Sequence, residues 1–189
     1  MYNVVEKIVA FLVEKRLINI SDFDLYSFGL ECIFLKVLHY LSYLFIALIL
    51  KVPLEALIIG ITFTCIRTNA GGYHAKSRTA CYLISCFSVA VTLIVYKVIV
   101  SKQIYLLLFI LSSVILFLMS PVDNENRKFS CQEERHYKLK SYVYIFIFQL
   151  ITIFCIFFGF YNFSYLCILG LTLAAILVLL GVLTKKQST

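Results

Sequence analysis

Residues 163–183 read Phe163-Ser-Tyr-Leu-Cys-Ile-Leu-Gly-Leu-Thr-Leu-Ala-Ala-Ile-Leu-Val-Leu-Leu-Gly-Val-Leu183, without one charged side chain. About 20 helical residues cross the hydrocarbon core of a bilayer, so this stretch reads as a membrane span. Five more apolar segments precede it, at 35–50, 53–66, 80–100, 104–119 and 141–160. Segments 80–100 and 141–160 are comfortably long, and 35–50 becomes so once Cys32 to Phe34 are added. Segment 53–66 is short and carries Glu55, which makes it the weakest of the six. Composition points the same way. Hydrophobic residues make up 62% of the 189, against roughly 45–50% in soluble domains, and the mean hydropathy is +0.96. The chain therefore reads as an all-α integral membrane protein with about six transmembrane helices in one domain, 1–189.

The N-terminal part, 1–34, is amphipathic. Val4, Val5, Ile8, Val9, Phe11 and Leu12 recur near helical period, with Glu6, Lys7, Glu14, Lys15 and Arg16 interspersed. Residues 3–20 suit a helix lying in the membrane interface, or one packed on the rest of the protein. These charges also break any clean signal-peptide core, so the first span is expected to act as its own insertion signal. Ser21 and Asp22 offer N-cap chemistry for a second helix running through Glu31 and Lys36 into the first span.

Charge sets the expected topology. With the N-terminus inside, fourteen of the seventeen Lys and Arg residues fall in cytoplasmic parts, and only Lys51, Lys97 and Lys102 remain outside. Such an asymmetry orients a multi-pass protein. Both termini, the 67–79 loop and the 120–140 loop are then cytoplasmic. The net charge of +7 has its explanation there, and nothing in the chain resembles a nucleic-acid module. The seven cysteines are odd in number, lie mostly in apolar runs and form no CxxC. Neither a disulfide framework nor a metal site is expected, and most read as small buried hydrophobes.

Between the second and third segments lies Arg67-Thr-Asn-Ala-Gly-Gly-Tyr-His74-Ala-Lys-Ser-Arg-Thr-Ala-Cys81. Polar and charged groups at a bilayer edge mark a functional candidate, and a histidine with a cysteine offers thiol-based nucleophilic catalysis. Gly71 and Gly72 permit a turn with positive φ, so the second span ends near Arg67 or Asn69. The third helix begins between Ser77 and Ala80, with Ser77 or Thr79 as N-cap. Cys81 then sits in its first turn, where the helix dipole, Arg78 and Lys76 favour a thiolate. On one straight helix His74 and Cys81 would be ~10 Å apart along the axis, beyond the reach of a base. If they act together, the chain bends between them.

The pattern Arg67-x4-Gly72-x-His74-x6-Cys81 between two spans resembles the AgrB (accessory gene regulator B) family, membrane endopeptidases of Gram-positive quorum sensing. Length, topology, the amphipathic N-terminus and a polar loop beginning near Pro121 fit the same resemblance. It implies Cys81 as nucleophile and His74 as its general base, with no cofactor. It implies an AgrD-like precursor peptide as substrate, with an amphipathic leader and an acidic C-terminal tail. It further implies cyclisation to a thiolactone or lactone in a bacterial plasma membrane. Arg67, Gly72 and Arg78 are candidates for binding substrate or the oxyanion. Arg67 has a second reading, anchoring the end of the second span at the headgroups.

Asp123, Asn69 and Asn124 are possible orienters of His74, or turn and cap residues. Arg127, Lys128, Arg135, Lys138 and Lys140 face an acidic tail or anionic lipid. His39 reads as a hydrogen-bonding bundle residue, His136 as a loop residue, and Glu55 as a helix-start carboxylate. A homodimer is compatible with so small a bundle, the leader binding at a groove or seam. Two other readings stand beside the peptidase. One is a small transporter or exporter, disfavoured by the lack of a nucleotide-binding motif and of paired broken helices. The other is a non-catalytic scaffold docking a partner through 67–81.

Overall fold

We describe the protein from a computed structural model that defines residues 2–73, 75, 77–99, 101–122 and 131–187. Among the described residues seven α-helices follow one another: α1 Tyr2–Glu14, α2 Phe23–Ile49, α3 Pro53–Ala70, α4 Arg78–Val98, α5 Lys102–Met119, α6 Cys131–Phe157 and α7 Tyr161–Gln187. Contacts divide the chain into two units, 1–45 and 46–189, with the division falling inside α2.

In the first unit α1 is shorter than the 3–20 expected, ending at Glu14, with Arg16 at φ 55° just beyond. Val5 and Val9 are buried one turn apart while Glu6, Lys7 and Glu14 are exposed, so the helix is amphipathic as its sequence requires. A 3₁₀ turn over Ile20–Asp22 leads directly into α2, which continues unbroken past Glu31 and Lys36.

The second unit is built around α7. Within its span Tyr161–Thr184, 61% of the apolar stretch is buried, against 11%, 17% and 22% in the spans of α4, α5 and α6. A helix that is apolar on every side can occupy the centre of a bundle without exposing polar groups. It packs on α3, α4, α5 and α6. Near one end Leu171, Ala174, Ala175 and Val178 meet Ile66 and Ala70 of α3, Leu116 of α5 and Ile145 of α6. Towards the other, Leu166, Ile168 and Leu169 meet Ile59, Leu93 and Tyr105. Phe146, Phe154, Phe157, Phe158, Phe160 and Phe163 are exposed on the outside of the helices. Thr62 and Thr152 are buried and donate to the carbonyls of Ile58 and Phe148 in their own helices, at 3.0 and 2.7 Å. Their hydroxyls are thereby satisfied away from water.

Among the described residues five helices are long and apolar enough to cross a membrane: α2, α4, α5, α6 and α7. The second expected span, α3, is a complete helix of 18 residues. It falls short of the others because Glu55, Arg67 and Asn69 stand within its length. Pro53 and Glu55 occupy its first turn, where a carboxylate suits the dipole. The largest departure is at α6. It starts at Cys131, so ten residues assigned to the 120–140 loop are helical, and His136 lies on a helix. Gln132, Glu133, Arg135, Lys138 and Lys140 are good helix formers, but hydropathy registers only the apolar continuation.

The burial pattern gives an expected stability result. Leu171 has no exposed surface, whereas Leu180 on the same helix is 40% exposed. Lipid tails are as apolar as leucine, so packing, not transfer from water, is lost on truncation. Leu171→Ala should cost on the order of 2 kcal/mol and lower the thermal midpoint in detergent, with Leu180→Ala close to wild type. Equal midpoints would remove α7 from the centre.

Candidate functional site

Ser77 begins the helix that carries the cysteine. Its Oγ accepts the Ala80 N–H at 3.1 Å, and its carbonyl accepts the Cys81 N–H at 3.0 Å. Ser77 is thus the N-cap of α4, one of the two residues expected for it. Cys81 stands in the first turn as a half-buried free thiol. α4 starts at Arg78, three residues before Cys81. Arg78 is exposed.

Upstream, α3 ends at Ala70 and the chain turns through two glycines with positive φ, Gly71 at 67° and Gly72 at 121°. L side chains rarely adopt either conformation. Three sets of contacts hold the turn. The first is Arg67, which donates from Nη1 to the Gly71 carbonyl and from Nη2 to the Tyr73 carbonyl. The second is Val122. Its N–H donates to Ala70 at 2.9 Å, its carbonyl accepts from Gly72 at 3.3 Å, and a parallel bridge pairs Gly71 with Val122. The third is α7, where the Leu177 carbonyl accepts the Tyr73 N–H at 2.8 Å. The two polar connections of the sequence are therefore joined through backbone pairing. The second one is itself anchored by the buried Ser120 and Ser141 hydroxyls, 2.7 Å apart.

Arg67 is half-buried. Loss of hydration pushes its guanidinium down to about 10, and the nearby Cys81 works against that shift. It keeps its positive charge at neutral pH. The structure thus brings Arg67 and Cys81 into electrostatic reach. The guanidinium fork clasps its own loop, and Gly72 is buried with its N–H given to Val122. His74 and Asp123 lie outside the described residues, as do Lys76, Asn124, Arg127 and Lys128. Asn69 donates to the Cys65 carbonyl at 3.1 Å. His39 donates from Nδ1 to the Leu35 carbonyl at 2.7 Å and meets Tyr43 edge-on, the hydrogen-bonding reading of that residue.

Sequence reasoning did not find α7 beside this loop. One signal was present, Gly170-x3-Ala174-x6-Gly181 inside an apolar span. Residues eleven apart share a helix face, and small residues mark close approach in membranes. Gly170 meets Thr62 of α3, and Gly181 meets the backbone of Gly72 and Tyr73.

A half-buried thiol in a capped first turn, with a guanidinium in range, suits attack on a carbonyl. Comparison with known proteins agrees with the resemblance already carried by the motif. The Accessory gene regulator protein B of Staphylococcus intermedius is 26% identical over 155 residues, covering 82% of this chain and 81% of that protein. No solved structure matches. The family model for accessory gene regulator B matches residues 5–179, nearly the whole chain, and the protein belongs to that family.

Proposed function

We propose that the protein is a membrane cysteine endopeptidase that removes the acidic C-terminal tail of an AgrD-like precursor and closes the remaining peptide into a ring for quorum sensing. The observation that carries this reading is the Cys81 thiol in the capped first turn of α4, beside the loop clasped by Arg67.

His74 takes the proton from the Cys81 Sγ, and the thiolate attacks a peptide carbonyl upstream of the tail. The carbonyl oxygen carries the charge of the tetrahedral intermediate. When the C–N bond breaks, the proton held by His74 goes to the departing amine. The tail leaves, and Cys81 remains acylated as a thioester. A cysteine or serine side chain in the bound peptide then attacks this thioester. His74 takes the proton of the attacking group and passes it to the Cys81 Sγ as the thioester C–S bond breaks, and a thiolactone or lactone forms. Thioester and thiolactone are close in energy, so the outcome depends on keeping water out. Arg67 neutralises charge near the thiolate as well as holding the loop. Arg78, Arg135, Lys138 and Lys140 are exposed at the starts of α4 and α6 and provide positive charge for an acidic tail. In this reading the chain sits in the bacterial plasma membrane with both termini and the site on the cytoplasmic side.

The test is processing of a tagged precursor in membranes, with tail and ring followed by mass spectrometry. Wild type should release both, and His74→Ala at equal abundance should lose roughly 10²–10⁴-fold in rate, the usual contribution of a positioned base. Wild-type rates in His74→Ala would remove the histidine from the mechanism.

A further inference from the structure

We propose that α7 frames the site: Gly181 and the Leu177 carbonyl are positioning groups that fix the loop leading into His74. The effect on turnover rests on the thiol-peptidase reading, whereas the docking itself does not.

The contact is a close approach of backbone to backbone. A Cβ added at Gly181 would lie 2.8 Å from the Gly72 carbonyl carbon, 2.8 Å from the Tyr73 nitrogen and 2.9 Å from the Gly72 Cα. None of these atoms can turn aside as a flexible side chain would. The approach is reciprocal, since a Cβ at Gly72 would lie 2.7 Å from the Leu177 oxygen. That oxygen stands one helical turn before Gly181 and has a second lone pair to offer beyond its place in the α-helical ladder. Tyr73 donates to it at 2.8 Å.

The Tyr73 residue is therefore held at both ends, its N–H by α7 and its carbonyl by Arg67. It is the residue immediately before His74. The atoms nearest a side chain at Gly181 belong to the loop backbone, so the loop is what it displaces. A misplacement near 1 Å costs reactions of positioned groups about 10²-fold. The helix most deeply buried in the bundle thus also sets where the loop begins.

The experiment uses the full chain in lipid nanodiscs, with Gly181→Ala, Gly181→Leu and two controls. Gly170→Ala crowds Thr62 on the same face of α7 but not the loop, and Gly60→Ala has open space around its new methyl. Two quantities are read: hydrogen exchange of the loop amides, and tail release against substrate concentration and pH. In wild type the Gly72 and Tyr73 amides should exchange slowly. In Gly181→Ala they should exchange faster, with kcat down about tenfold, and about 100-fold in Gly181→Leu. KM should hold, and the pH profile of kcat should change shape. Gly60→Ala should match wild type, and Gly170→Ala should keep the wild-type pH profile and loop protection.

Rapid exchange of Gly72 and Tyr73 in wild type would overturn the docking, even if the Gly181 variants fail to fold. Unchanged kcat, pH profile and exchange in folded Gly181→Ala would overturn the positioning role. Normal tail release by Cys81→Ala would instead remove the peptidase reading, and the exchange comparison would still decide the docking.

Discussion

Membranes carrying Cys81→Ala or Cys81→Ser release no measurable tail from the precursor at wild-type protein abundance, a loss on the order of 10⁴-fold or more in rate. Alanine removes the nucleophile. Serine keeps an oxygen in nearly the same place but lacks the thiolate fraction on which thiol chemistry depends. The fold has little reason to respond, since Cys81 is only half-buried and α4 is capped by Ser77. Cys65→Ser and Cys86→Ser are the matching controls, both half-buried free thiols. Cys86 is five residues on and faces another direction, so its loss should leave cleavage intact. Processing by folded Cys81→Ala at the wild-type rate would end the thiol mechanism and return the loop to a docking role.

Arg67→Ala is the second large effect, and it acts through the loop. Removing the guanidinium strips the Gly71 and Tyr73 carbonyls of their donors, at roughly 1–3 kcal/mol for each group left unsatisfied. The turn loses one of its three sets of contacts, and tail release should fall by about 10²-fold or more. Arg67→Lys separates charge from geometry. An ammonium keeps the charge but has no planar fork to reach two carbonyls at once, so a loss of about tenfold is expected, between wild type and alanine. Full activity in Arg67→Lys would mean that charge alone matters, favouring contact with the oxyanion or the tail. Arg67 loses its proton only as pH rises through about 10. The pH dependence of tail release near neutrality therefore reports other groups.

How much of this could be read beforehand depends on what each feature leaves in the sequence. Apolar runs announce helices, and each of the six expected segments falls on a helix over most of its length. The start of α4 was legible because Ser77 caps it with its own side chain. The start of α6 was not, because residues 131–140 propagate the helix with charged side chains that carry no hydropathy signal. The weakness of α3 as a span was visible in the shortness of segment 53–66 and in Glu55. Cys81 in a first turn followed from the Gly71–Ser77 interruption. Arg67 left two readings open, contact with substrate or oxyanion and an anchor at the headgroups, and neither named the backbone carbonyls of Gly71 and Tyr73 that it meets. Least legible was the assembly of the loop. Tyr73 to Leu177 and Gly72 to Val122 are backbone hydrogen bonds between distant residues, and such bonds have no side-chain signature. Only Gly181 hinted at them, through the space it leaves.

The most direct measurement is intact-mass spectrometry of the protein after reaction with a precursor whose ring-forming residue is alanine. Without an internal nucleophile the acyl-enzyme should accumulate. Wild type should gain the mass of the tail-less peptide, hydroxylamine should remove it, and fragmentation should map it to Cys81. Tail release with no adduct, or an adduct on Cys65 or Cys86 instead, would contradict a Cys81 thioester.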